Sequence, residues 1–106
     1  MIVNVLYYAK EVVMSKDDVI ERVKKPGEQL PIIAPLKVID YATVNKRFGW
    51  WSAVVLLESY GRKQVCFYLW QKRGDRWKRK QKFAVHSQED WELITKAVEK
   101  MIDNLT

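Results

Sequence analysis

The stretch QVCFYLWQKRGDRWKRKQKFAV, residues 64 to 85, has to double back near Gly74, and the way it does so constrains the whole chain. Side chains alternate along a strand, so the parity of the turn decides which residues of the two arms share a face. A two-residue Gly74-Asp75 loop sets Val65, Phe67 and Leu69 beside Lys78, Lys80 and Lys82. That would bury three unpaired ammonium groups, at a prohibitive desolvation cost. An odd loop, Lys72-Arg73-Gly74 with Gly74 left-handed, avoids this. It puts Val65, Phe67 and Leu69 on one face with Phe83 and Val85, which reads as the core. Cys66, Tyr68 and Trp70 then share the opposite face with Lys78, Lys80 and Lys82, an aromatic surface rimmed by lysines. Trp77, Arg79 and Gln81 have core parity but lie toward the hairpin tip.

Two further strands precede this hairpin. Runs rich in β-branched and aromatic residues predict strands over 36–44, 50–59, 63–72 and 76–86, with Tyr60-Gly61 as a turn. A two-residue turn there sets Trp51, Ala53 and Val55 beside Tyr68 and Trp70, and Val54 and Leu56 in the core. A shift of one residue brings Trp50 and Ser52 forward instead, so one tryptophan joins the aromatic floor in either case. Upstream, Ile2, Val5, Leu6, Ala9, Val12 and Val13 form a helical stripe over 2–14. A shorter helix is expected over about 16–25, stopped by Pro26-Gly27. Residues 26–35, with three prolines, read as an extended connector.

Downstream, Ser87 with Asp90 three residues on predicts an N-capped last helix. Its apolar positions Trp91, Ile94, Val98, Met101 and Leu105 fall at steps of 3, 4, 3 and 4, a heptad seam. Such a helix can pack on the sheet and pair with a second copy. The expected architecture is α+β in a single domain, 1–106. An N-terminal helical extension and connector (1–35) precedes a four-stranded antiparallel sheet (36–86) and an amphipathic C-terminal helix (87–106).

Charge is concentrated, not spread. Residues 46–86 carry eleven basic and two acidic side chains, whereas residues 1–45 balance six against six. Residues 87–106 are net acidic, with five acids and two bases. One strongly basic segment is the electrostatic footprint of a polyanion binder. Aromatic faces stack on bases without reading sequence, and neighbouring cations neutralise phosphates. That combination suits unpaired nucleic acid. Duplex hides its base faces and is read by an inserted helix, and the last helix here is acidic. The candidate contacts are Lys46, Arg47, Trp50, Trp51, Tyr68, Trp70, Lys72, Arg73, Arg76, Trp77, Lys78, Arg79, Lys80 and Lys82.

Other chemistry finds little purchase. His86 is the only histidine and Cys66 the only cysteine, too few for a zinc site. A lone cysteine points to a reducing, intracellular setting. Asp17, Asp18 and Glu21 read as a solvated helix face, not a Mg²⁺ site. No apolar run spans a membrane, and the first residues do not read as a signal peptide. The expectation is a non-enzyme without metal or cofactor. The run Lys46-Arg47-Phe48-Gly49-Trp50-Trp51 is similar in composition to the aromatic-glycine motif of RNA-recognition sheets but lacks its second-position glycine.

The order of elements carries a more specific likeness. A four-stranded sheet ends in a basic, tryptophan-bearing hairpin, followed at once by Ser87, Trp91 and Ile94 opening an amphipathic helix that reaches Ile102-Asp103. This resembles the positive-cofactor-four type of transcriptional coactivator, and still more the related archaeal single-stranded DNA-binding proteins of the ThermoDBP type. The similarity runs over about residues 36–105. The coactivator's lysine-glycine run before its last helix is absent; Lys82-Phe83-Ala84 stands there. The resemblance implies a cytoplasmic, nucleoid-associated archaeal protein that holds single-stranded DNA or RNA in a sheet cleft without sequence specificity. Trp51, Tyr68 and Trp70 would be its floor and Lys78, Lys80 and Lys82 a ridge. It also implies a homodimer through Trp91, Ile94, Val98, Met101 and Leu105. A factor reading folded RNA, a coactivator-like factor and a dimeric module docking on acidic proteins are the alternative expectations.

Overall fold

The computed structural model describes residues 25 to 105; the helices expected over 2–14 and 16–25 fall outside that range, Lys25 apart. Four strands follow in chain order, β1 (Lys37–Arg47), β2 (Trp50–Ser59), β3 (Arg62–Arg73) and β4 (Arg76–Val85). They form one antiparallel meander in which each strand pairs with the next. An α-helix, α1 (Gln88–Met101), and a 3-10 turn (Ile102–Asn104) follow the sheet. The α+β architecture and the strand positions agree with the sequence reading to within a few residues.

Two tight turns carry an unusual feature. β1 and β2 are joined by Phe48-Gly49, and β2 and β3 by Tyr60-Gly61. Both central residues of each turn have positive φ: 55° and 79° in the first, 52° and 80° in the second. That sign pattern belongs to type I′, whose twist matches that of the flanking strands. Glycine accepts it readily, but a residue with a Cβ loses roughly 1–2 kcal/mol there. The usual occupants are Asn, Asp or Gly, so Phe48 and Tyr60 are both strained choices.

The β3–β4 hairpin corrects the expected odd loop. Arg73 pairs with Arg76, so the loop is the two-residue Gly74-Asp75. Parity is restored further along, where Leu69 pairs with Gln81 but Trp70 with Arg79. Lys80 is the extra residue of a β-bulge. Below the bulge Phe67 meets Phe83, and Val65 meets Val85, so these residues share a face as the sequence predicts. Above it Lys72 pairs with Trp77, which moves Trp77 to the face of Trp70, and Gln71 pairs with Lys78, which removes Lys78 from that face.

The two faces are the reverse of those expected. The core is Trp51, Ala53, Val55 and Leu57 from β2 with Cys66, Tyr68 and Trp70 from β3. Trp51 is 2% exposed, Tyr68 4% and Trp70 1%. Leu30, Ile32 and Leu36 of the connector pack against them, joined by Val38, Tyr41, Trp77 and Ala84. The other face, with Val54, Leu56, Val65, Phe67, Leu69 and Phe83, is only partly covered, and Phe83 is 55% exposed.

A lysine on the core face escapes the desolvation cost when it sits at the sheet edge. Lys82 pairs with buried Tyr68 yet is itself exposed, because β4 is an edge strand. Its aliphatic stem can run past the ring to water, leaving Nζ 5.5 Å from the Tyr68 centroid.

Helix α1 begins as expected. Ser87 is extended, and its hydroxyl accepts a hydrogen bond from the Asp90 N–H at 3.0 Å. Trp91 packs edge-on against Phe67, with centroids 6.2 Å apart. Yet no residue of the helix is buried, and Val98, Met101 and Leu105 remain exposed.

The face assignment is directly measurable. Trp70→Ala is expected to lower unfolding stability in urea by about 3–5 kcal/mol, as large-to-small changes in a core do. Phe83→Ala, on the half-covered face, is expected to lower it by about 1 kcal/mol or less. The opposite ranking is what the sequence-based faces would give.

Candidate nucleic-acid interface

An antiparallel meander brings alternate turns to the same end of the sheet. The Phe48-Gly49 and Gly74-Asp75 turns therefore lie together, and the Lys72 N–H donates to the Gly49 carbonyl at 2.8 Å to tie them. Residues far apart in sequence converge there. On the open face stand Arg47 opposite Trp50, Gln71 opposite Lys78, and Arg73 opposite Arg76. On the core side stand Lys46, Lys72, Trp77 and Arg79. Arg73 and Arg76 are a like-charge pair directly across two strands, which is destabilising without a counter-anion. Among the described residues the one ion pair is Lys46–Glu28. Asp75 is the only acid between Lys63 and Glu89 in the sequence.

Two aromatic side chains at this end are open to solvent. Trp50 is 40% exposed and Phe48 90%. The Arg47 guanidinium carbon lies 5.9 Å from the Phe48 centroid. A surface of unpaired cations with accessible π-faces is chemically suited to a polyanion that also carries flat apolar rings.

Lys46 has a different position. Its Nζ lies 3.8 Å from the Trp51 centroid and 5.7 Å from that of Trp77, and it donates to Glu28 Oε2 at 2.9 Å. The Tyr41 hydroxyl donates to the other oxygen of the same carboxylate, at 2.7 Å. Burial raises the Glu28 pKa, but these two hydrogen bonds and the positive charges of Lys46 and Lys25 more than offset it, and the net shift is downward. Burial, then the bond and charge of Glu28, push Tyr41 up to about 12. This cluster pins the connector to the sheet and holds Lys46 largely in a structural role.

Compared with known proteins, the chain matches no family model, no curated protein and no solved structure. The likeness to ThermoDBP-type proteins rests on the residues quoted for it.

The expected site residues other than Lys46 divide into three groups. Arg47, Trp50, Lys72, Arg73, Arg76, Trp77, Lys78 and Arg79 are gathered at the basic end. Lys80 and Lys82 continue the charge down the β4 edge, Lys80 at the bulge. Trp51, Tyr68 and Trp70 are core and have no face to offer: Tyr68 stacks on Trp70 at 5.0 Å, and Trp70 meets Trp51 at 5.1 Å. Their removal from the floor corrects the expected cleft. Of the choice between Trp50 and Trp51, the solvent-facing one is Trp50. Phe48 was missed; the signal available was a bulky residue before glycine between two strands, an aromatic-Gly turn like Tyr60-Gly61.

No group of three or more His, Cys, Asp or Glu among the described residues is placed to hold a metal ion. Cys66 is buried, its thiol pushed up by burial and lowered less by Lys82, and it donates to Gln64 Oε1 at 3.1 Å. No helix among the described residues is long and apolar enough to cross a membrane.

The Tyr41–Glu28 bond gives a titration. Stability tied to Tyr41 is full below its unfolded pKa near 10 and is lost as pH rises through about 12. Stability tied to Glu28 is present above its ordinary value of 4.5 and is lost as pH falls below it. Phenolate absorbance should show one tyrosine titrating near pH 12, absent in Tyr41→Phe. In Glu28→Gln it should move part of the way back toward 10, because burial, the larger cause, persists.

Proposed function

We propose that this protein binds single-stranded nucleic acid, DNA or RNA, without sequence specificity, at the basic end of its sheet. The observation that supports this reading best is the convergence of two hairpin tips, which sets Arg47, Arg73, Arg76 and Lys78 on the same face as the exposed Trp50, with Lys72 at the same end on the other face. Phosphates would relieve the Arg73–Arg76 repulsion, and a base could lie on an accessible ring. The affinity would come from the tips and the β4 edge, not from a cleft across the sheet, since the rings expected to floor that cleft are core.

The active form in this proposal is a homodimer in the cytoplasm, associated with the nucleoid. The stripe of Trp91, Ile94, Val98 and Met101 on α1, with Leu105 beyond the 3-10 turn and none of them buried, and the half-covered sheet face beside it are the surfaces that favour pairing. Light scattering should give twice the chain mass, and Val98→Asp with Met101→Asp should halve it. A parent protein of single-chain mass would remove the dimer from the proposal.

Five engaged cations set the salt dependence. Log K against log salt should fall with a slope of about −3.5 for a single strand. Arg73→Ala with Arg76→Ala should reduce the slope by about 1.4 and weaken binding to every sequence alike. Anisotropy titration of labelled oligo-dT, mixed-sequence single strand, duplex and hairpin RNA checks all of this. A flat salt dependence, or duplex or folded RNA bound more tightly than single strand, would sink the reading.

A further inference from the structure

Among the described residues, Phe48 is the most exposed large hydrophobic residue and one of the two non-glycine residues at positive φ. Either fact alone has a bland account. Together they describe an apolar ring held fully in water by a backbone that disfavours it. Asn or Gly at this position would fit the turn better and expose less apolar surface. Backbone strain persists where the surroundings over-determine it, and such sites cluster at ligand contacts. The surroundings here do over-determine it: β1 and β2 flank the turn directly, and the Lys72 N–H fixes the Gly49 carbonyl from a third strand.

Tyr60 provides an internal comparison. It has the same turn position, the same sign of φ and 88% exposure, but it lies at the other end of the sheet. Its end of the sheet carries Lys37, Arg62 and Lys63 against Glu58, which pairs with both Lys37 and Lys63. The Phe48 ring instead lies beside Arg47, at the end where Arg73 faces Arg76. Both ends are cationic, but the field at Phe48 is the stronger, with Arg47, Lys72, Arg73, Arg76 and Lys78 against Asp75.

We propose that Phe48 is a base-stacking finger: its ring takes the flat face of one unpaired base while the cations around the tip hold the phosphates on either side. This rests on the nucleic-acid reading above and adds to it the residue that contacts the base. The finger needs no induced movement, because the turn already holds the ring out from the sheet. It is indifferent to sequence, because every base has a π-face.

The test uses the full chain and four proteins: parent, Phe48→Asn, Phe48→Tyr and Tyr60→Asn. Affinity is measured for oligo-dT and for an abasic strand of equal length, and Tm is measured without ligand. Phe48→Asn should weaken oligo-dT binding roughly tenfold or more, the scale of one lost stack. Its salt slope should be unchanged, because no charge is removed. It should also melt some 4 °C or more higher, since asparagine suits the left-handed turn. Phe48→Tyr should retain affinity, and Tyr60→Asn should gain Tm without losing affinity. On the abasic strand the parent and Phe48→Asn should bind equally.

Parent-like binding of oligo-dT by Phe48→Asn overturns the finger, while Arg73→Ala with Arg76→Ala still weakening that binding would leave the nucleic-acid reading standing. An equal loss on the abasic strand also overturns it, by showing that Phe48 acts through the shape of the tip. A fall in Tm overturns the premise of strain. A parent protein with no affinity for oligo-dT removes both proposals together.

Discussion

The row of rings formed by Tyr68, Trp70, Trp51 and Trp77 is the interaction on which the other features depend. Neighbouring centroids are 5.0 to 5.5 Å apart, with geometries from stacked to edge-on. Aromatic pairs of this kind add about 0.5–1.5 kcal/mol each beyond the area they bury. The row crosses three strands, so it fixes β2, β3 and β4 to one another and not only to the connector. Once it is buried, alternation leaves Trp50, Val54, Phe67 and Phe83 on the other side. The row also reaches the basic end through Trp77, and Lys46 and Lys72 lie over that ring at 5.7 and 5.8 Å. Cations near a π-face are attracted to it at little desolvation cost while their heads stay wet. The chain thus keeps a concentrated positive charge next to a dry core without burying any of it.

Such an arrangement is tolerable only on edges and tips. β4 carries more of the cations than any other strand and, among the described residues, has no strand on its outer side. Lysines on an edge strand discourage pairing with another sheet, and a bulge at Lys80 adds to that protection. A purely protective account covers Lys80 and Lys82 well. It does not cover Arg47, Lys72 and Arg73, which come from β1 and β3 and reach the same end through their turns. Nor does it cover Arg73 opposite Arg76, since edge protection requires no like-charge pair inside a hairpin. The charge at the tip is therefore what calls for a ligand, and the charge along the edge is ambiguous between the two roles.

Much of this was legible in the residues, and the failures have definite causes. Turn chemistry placed Tyr60-Gly61 correctly, and with it the pairing of Trp51 with Trp70 and of Val55 with Cys66. The Ser87 cap was readable because the capping bond is local. The partition of residues into two faces was also right over most of the sheet; which face is dry was not. Parity is a local property, but the side that gets covered depends on Leu30, Ile32 and Leu36, whose placement is tertiary. The bulge at Lys80 was invisible for a related reason. A two-residue loop with a bulge and a three-residue loop without one both put Phe67 on the same face as Phe83, and the sequence pattern constrains only that parity. Their difference appears at the tip, where Trp77 and Lys78 exchange faces, and that is where the candidate site lies.

The half-covered face follows from the same geometry. Among the described residues one helix of fourteen residues stands beside the four-stranded sheet, and α1 meets this face at Trp91 on Phe67. Had the connector been the only covering element, a single-layer sheet would still expose its second face. A helix with its stripe unburied beside a sheet with its rings half-bare is a surface in search of a complement. Its acids, Glu89, Asp90, Glu92, Glu99 and Asp103, distinguish it from the basic end. Nucleic acid would be repelled by α1 and drawn to the hairpin tips, so charge alone separates the face suited to a protein neighbour from the end suited to a polyanion. The two can then be occupied at once, and a second copy on the apolar face would leave Phe48, Trp50 and the tip arginines to whatever anion they hold.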